Sequence, residues 1–224
     1  SSAYWASIDI GNAYTSDQVW LAKLDYATID HIDFYFRDAN GDWVEKSAGD
    51  TLAFSNRDVA HHSISFKFPV LASQPQTLYF RVQSKGSVQL PLYLSSLEDF
   101  QLTSKNEYLW IGAYYALMLL IALYSAFIWV ASKDKSYLYF VFFVLSGGLF
   151  SFSFQGLSFQ YLWPDIPYWA NRSVLSTIGL AAVSGLMFVR LFLELKIYHK
   201  ALDNAVRIGA YASLAYSVIC LVLP

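Results

Sequence analysis

Ser55, Asp58 and His61 fall close together in the chain, and a serine, an acid and a histidine are the parts of a nucleophilic triad. All three lie on one local stretch that reads as an ordinary turn, so no nucleophile is expected from it. The other chemical signatures are missing from the sequence: there is no GxSxG elbow, no phosphate loop, no CxxC and no HExxH. His61 and His62 are neighbours, and neighbours in a strand point to opposite faces, which makes them a poor metal pair. The aspartates of the first half cluster around strand ends and turns, where they cap and solvate, and no D-x-D-x-D-G calcium loop is present. His199 reads as a solvated loop histidine. Neither a metal nor a cofactor is expected, and this chain carries no catalytic constellation of its own.

Binding is the chemistry left. Arg57 and Arg81 sit in or beside alternating segments, where an arginine forms a buried ion pair or, as the alternative, clasps an anionic or hydroxylated ligand. Trp5, Trp20, Tyr35, Trp43 and Tyr79 are rings for a sugar platform, with core packing as the plainer role. The candidate ligand contacts are Tyr35, Trp43, Arg57, His61, Arg81 and Ser84.

The elements that must position them change character halfway along. Residues 1–107 hold 13 acids and 8 bases, while residues 108–224 hold 4 acids and 7 bases. An acidic first half excludes nucleic acid as a partner, and the asymmetry between halves is a cue for membrane contact. In the first half, alternation at period two predicts strands over Tyr4–Ile10, Val19–Leu24, His31–Asp38, Trp43–Lys46, Thr51–Ser55, His62–Phe68, Thr77–Ser84, Val88–Ser95 and Phe100–Thr103. Asn40-Gly41 is a hairpin signal, and Gly49-Asp50, Pro69, Pro75 and Lys85-Gly86 punctuate other gaps. Eight or nine short strands and no helix of useful length predict an all-β jelly-roll-like sandwich over residues 1–105.

From Tyr108 to Ser132 there is no charge. About 20 apolar residues cross a ~30 Å hydrocarbon layer as a helix, so residues 109–131 are expected to span a bilayer. Further spans are expected at 137–157, 173–193 and 208–223, which makes residues 106–224 an all-α transmembrane bundle. Residues 195–206 are expected to be a polar connection, and Arg190 is placed to snorkel. Lysines and arginines concentrate between spans one and two and between spans three and four, which puts those loops in the cytoplasm and the N-terminal domain outside. The aromatic loop between spans two and three then shares the side of the sandwich. Gly112-x-x-x-Ala116, Gly147-Gly148 and Ala181-x-x-x-Gly185 offer close helix packing, within one bundle or, as the minority reading, at a homodimer seam. No acid or histidine sits in mid-span, which argues against a pump or secondary transporter.

The stretches YWASIDIGN, VWLAKLDYATIDHIDFYF, GDTLAFSNRDVAHHSISFKFPV and QTLYFRVQSKGSVQLPLYL, in that order and followed by a span, carry a resemblance. Together they resemble the second type of extracellular sensory domain of bacterial seven-transmembrane receptors with diverse intracellular signalling modules. The features are Gly49-Asp50, Arg57, Phe68-Pro69, Leu78-Tyr79, Arg81-Val82, Ser84, Ser87 and Pro91. The resemblance implies a jelly-roll sandwich related to carbohydrate-binding modules. It would sense a ligand outside the bacterial inner membrane, in the periplasm, and pass the signal to a cytoplasmic output module. It carries no binding residue to transfer. On this reading the chain is a fragment holding four of seven spans, with a diguanylate cyclase or histidine kinase module beyond it, and any signal peptide already removed. Residues 100–107, lacking Gly and Pro, are expected to form a stiff linker. The competing functional reading is a transporter or envelope-glycan membrane enzyme with an accessory carbohydrate-binding domain.

Overall fold

The computed structural model describes residues 2–11, 16–72, 74–84 and 88–222. It forms two compact units, one of residues 1–107 with 154–170, the other of residues 108–153 with 171–224.

The first unit is an antiparallel β-sandwich. Its strands are β1 (Ala3–Gly11), β2 (Gln18–Leu24), β3 (His31–Arg37), β4 (Trp43–Ala48), β5 (Ile64–Val70), β6 (Pro75–Gln83) and β7 (Leu92–Ser96). One sheet has the order β1-β6-β3-β4 and the other β5-β2-β7. The alternation seen in the sequence sorts the side chains. Ile32, Phe34 and Phe36 of β3 and Leu78, Phe80 and Val82 of β6 point into the core, against Ala22, Leu24, Ile64, Phe66 and Phe68 of the other sheet. Phe34 sits at the centre. Its ring centroid lies 4.8 Å from Phe80, 5.3 Å from Phe66 and 5.6 Å from Phe68. Asn40-Gly41 makes the expected β3–β4 hairpin: Gly41 takes φ 87°, and the Asp38 carboxylate accepts from the amides of Asn40 and Asp42.

Several expectations change. Among the described residues there are seven strands, not eight or nine. Thr51–Ser55 is not a strand but a turn leading into a 3₁₀ turn at Phe54–Asn56. The turn expected at Lys85-Gly86, and Ser87, lie outside the described residues. Phe100–Thr103 is not a strand, and residues 100–107 are not a linker: both belong to α1 (Leu97–Ser132), a single helix of 36 residues. Its start has a clear cause. Ser96 caps the helix by accepting from the Asp99 amide at 3.1 Å, and its hydroxyl donates to the Asp99 carboxylate at 2.8 Å, with Glu98 and Asp99 facing the positive end of the helix dipole.

Beyond α1 come α2 (Lys135–Phe154), α3 (Leu157–Tyr161), α4 (Pro167–Phe192), α5 (Leu195–Tyr198) and α6 (Lys200–Val222). Among the described residues four helices, α1, α2, α4 and α6, are long and apolar enough to cross a membrane. The connection expected at 195–206 is instead α5 and the first turns of α6. Inside the second unit, Arg190 grips the buried Asp203 through two hydrogen bonds, at 2.5 and 3.2 Å. A partly buried charge keeps its ionised form by pairing when a partner is within reach. Small residues set the closest approaches. Gly148 faces Met118, Gly185 faces the Phe143 ring, and Gly179 leaves room for Ser217, which also donates to the Ser176 carbonyl at 3.2 Å. Gly112 and Gly147 have nothing within 4 Å of where a side chain would begin.

Truncating the central ring should be the most costly change in the sandwich. Phe34→Ala is expected to lower unfolding stability by about 3–5 kcal/mol, read by denaturant titration of tryptophan fluorescence. A loss under about 1 kcal/mol would show that the packed rings do not carry the fold.

Candidate functional site

Two constellations stand out in the first unit, one on each sheet. The first is the outward face of the four-stranded sheet. Strand register brings Trp5 beside Arg81, Arg81 beside Asp33, Tyr35 beside both Tyr79 and Glu45, and Arg37 beside Trp43. Alternation keeps this row off the core. Trp5 stacks on Tyr35 at 5.7 Å, Trp43 meets Tyr79 edge-on at 5.7 Å, and the Arg37 guanidinium lies 5.0 Å over the Trp43 ring. Trp5 is 62% exposed and Trp43 54% exposed, although both carry large apolar rings. A depression of about 490 Å³ adjoins the Trp43 end, lined among others by Arg37, Asn40, Gln74, Thr77 and Tyr79.

Asp33 anchors this face. It is buried and accepts from Ser47 at 2.7 Å and from Arg81 and His31 at 2.8 Å each. Burial alone would raise its carboxyl, but the Ser47 and Arg81 hydrogen bonds and the His31 charge outweigh that and hold it below the usual range. Tyr35 donates to Glu45 at 3.0 Å, and burial together with that bond raises its phenol.

The second constellation lies beside β2. His61 and His62 occupy a bend before β5, not a strand. The expectation that they point apart therefore fails: their rings lie 4.3 Å apart, both buried. Arg57 makes the bend by donating from one nitrogen to the carbonyls of His61 and His62, at 2.8 and 2.7 Å. Its guanidinium also stands over the rings of Phe54 and Phe159. Arg57 thus meets backbone carbonyls and aromatic rings, and Arg81 forms an ion pair with Asp33. Glu107, the last charge before the uncharged run of α1, accepts from Lys23 of β2 at 2.7 Å and lies 3.2 Å from His62 Nε2. The hydrogen bond with His62, then Lys23, holds the Glu107 carboxyl down to about 2 against its burial.

Segment 154–170 packs into this unit. Gln155 places its carbonyl 3.0 Å from His62 Nδ1, the Phe54 amide donates to the Pro164 carbonyl, and Phe159 meets Phe54 edge-on. Gly156 makes the approach possible. With φ 78°, a side chain there would strike Ala27 and the His62 carbonyl.

His61, His62 and Glu107 offer three ligand atoms within 4.8 Å of one another, a spacing that suits a metal ion. The hydrogen bonds argue otherwise. The Ser63 amide donates to His61 Nδ1 at 3.1 Å, so the neutral ring carries its proton on Nε2, the nitrogen a metal would need. The ammonium of Lys23 already holds Glu107. The arrangement is a network of hydrogen bonds and ion pairs.

Of the six candidate ligand contacts, the structure gathers Tyr35, Trp43 and Arg81 on the outward aromatic face. Ser84 follows the end of β6. Arg57 and His61 lie buried in the second cluster and join no common site with the others. Of the five platform rings, Trp5, Tyr35, Trp43 and Tyr79 share the face, while Trp20 packs against the core from the other sheet. Sequence reasoning misses Glu107, Lys23, Gln155 and Gly156. A lone acid at the foot of an apolar helix is the only signal that points to them.

Comparison with known families matches residues 1–96 to the model described as 7TMR-DISM extracellular 2. Residues 107–224 match the model described as 7TM diverse intracellular signalling. No curated protein and no solved structure matches the chain.

Two outcomes follow from the buried cluster. Burial first, then the His62 and Lys23 charges, push His61 down to about 3, below the ordinary 6.5. An unfolded chain takes up that proton as pH falls below 6.5, and the folded one refuses it, so stability is lost on acidification. The difference in stability between wild type and His61→Asn should shrink from pH 7 to pH 5, by up to ~1.4 kcal/mol per pH unit, read by thermal unfolding in detergent. A constant difference would show that His61 titrates alike in both states. Separately, Gly156→Ala should free segment 154–170, raising its hydrogen exchange while the exchange of β3 and β6 stays unchanged.

Proposed function

For a chain that belongs to the seven-transmembrane proteins with diverse intracellular signalling, we propose a receptor whose sandwich binds a carbohydrate on the outward face of its four-stranded sheet. That the chain is a multi-pass membrane protein of sensory-receptor type with an N-terminal extracellular domain rests on the family and on four apolar helices. The ligand, its site and the route of the signal are the proposal.

The observation that carries it is the outward row Trp5, Tyr35, Tyr79 and Trp43, exposed at its two tryptophans and interleaved with Arg37, Arg81, Asp33 and Glu45. Ring faces take up the apolar C–H face of a sugar, and flanking carboxylates and guanidinium groups take up its hydroxyls. The rings are held in place by strand pairing and by the Asp33 network, so little order is lost on binding. Arg57 and His61 serve the fold of the second cluster, and the sugar contacts are Trp5, Tyr35, Trp43, Tyr79 and Arg81.

The signal leaves the sandwich through the opposite sheet. Lys23 of β2 holds Glu107 of α1, and the His61–His62 bend holds both Glu107 and Gln155. A ligand that prefers one arrangement of the sandwich biases the root of span one and the loop after span two together, by its affinity difference between the two states. The receiver is a cytoplasmic output module, and the membrane is a bacterial inner membrane.

A glycan array probed with the purified chain tests the ligand. Trp43→Ala and Tyr35→Ala should each weaken the best glycan by at least about tenfold, ~1.4 kcal/mol, with the melting temperature unchanged. Binding that survives both substitutions, or no glycan bound at all, would overturn the assignment.

A further inference from the structure

We propose that His62 is a proton-operated tie: as a cation its ring holds the Gln155 carbonyl and the Glu107 carboxylate together, and as a neutral ring it releases one of them. Nδ1 stands 3.0 Å from the Gln155 carbonyl oxygen and Nε2 stands 3.2 Å from Glu107 Oε1. Both oxygens only accept, since a carbonyl has no proton to give and Lys23 keeps Glu107 ionised. A neutral imidazole has one N–H for these two oxygens; the imidazolium has two. Adding a proton therefore closes both contacts, and removing it sets a nitrogen lone pair against an oxygen.

The surroundings leave this ring as the one that stands between two acceptor oxygens. His61, its neighbour at 4.3 Å, accepts the Ser63 amide at Nδ1 and stays neutral. From β2 come Lys23, on Glu107, and Asp25, 3.8 Å from Lys23 and accepting from Ser63. From the bend comes Arg57, which holds the two histidine carbonyls. From α1 comes Glu107, and from segment 154–170 the Gln155 carbonyl. Lys23 and Arg57 balance Glu107 and Asp25, so the His62 proton is the one added charge, and it arrives between two oxygens.

Gln155 and Glu107 belong to segments that enter this unit from two different helices, α2 and α1. Mild acidity outside the membrane thus fastens segment 154–170 to the root of α1, and neutrality loosens it. This device holds whether or not the aromatic face binds a sugar.

Hydrogen exchange of the full chain in lipid nanodiscs, between about pH 5.5 and about pH 8 where imidazoles titrate, is the test. After correction for the intrinsic pH dependence of exchange, amides of residues 156–162 should open roughly fivefold less often at the acid end. His62→Gln, neutral at every pH, should abolish that difference, and Glu107→Gln should abolish it as well. Nitrogen-15 spectra of histidine-labelled wild-type protein should show His62 passing from one protonated ring nitrogen to two over the same range. Exchange equal at both ends in the wild type would overturn the proposal. So would a pH difference that persists in both variants, or a His62 ring that does not change its protonation.

Discussion

A carboxylate on the last turn before a run of uncharged residues is a constraint that the surrounding structure must satisfy. Glu107 is half-buried, and an ionised group in that position costs several kcal/mol unless it is paired. Lys23 supplies the pairing from β2, the strand beside which β7 delivers the start of α1. The His61–His62 bend then closes over the same carboxylate, and Arg57 shapes that bend from its buried place. Guanidinium suits this role, since one nitrogen reaches two carbonyls while the flat face takes two aromatic rings.

The sandwich thereby has two different outsides. The four-stranded sheet leaves its aromatic row open, and the three-stranded sheet carries the ion-pair network on the side away from its core residues Ala22 and Leu24. Between them lies a layer of phenylalanines packed ring on ring, in which Phe34 and Phe36 of one sheet meet Phe66 and Phe68 of the other. Close-packed interiors transmit displacement because they have no slack to absorb it. The same core that stabilises the domain separates its two faces.

What the amino-acid order reveals depends on distance along the chain. Period-two alternation locates the seven strands, and the Asn40-Gly41 signal locates a hairpin, because both are local. The aromatic face is half legible: its rings can be named, but only register shows that Trp20 leaves the group and that Trp5 meets Tyr35. The cap Ser96-Leu97-Glu98-Asp99 is legible too, and it marks as a helix what alternation alone reads as a strand and a linker. Assuming that β5 starts two residues early misplaces the two histidines. Contacts such as His62 with Gln155, 93 positions apart, have no local trace at all.

The helix that begins at Leu97 and ends at Ser132 has no Gly or Pro among residues 97–111, and it is 36 residues long, about 54 Å. Its charged residues, Glu98, Asp99, Lys105 and Glu107, all fall in the first third. Beyond Glu107 the helix carries no charge to its end at Ser132. Its polar base and its uncharged length therefore call for different surroundings, water for the one and hydrocarbon for the other.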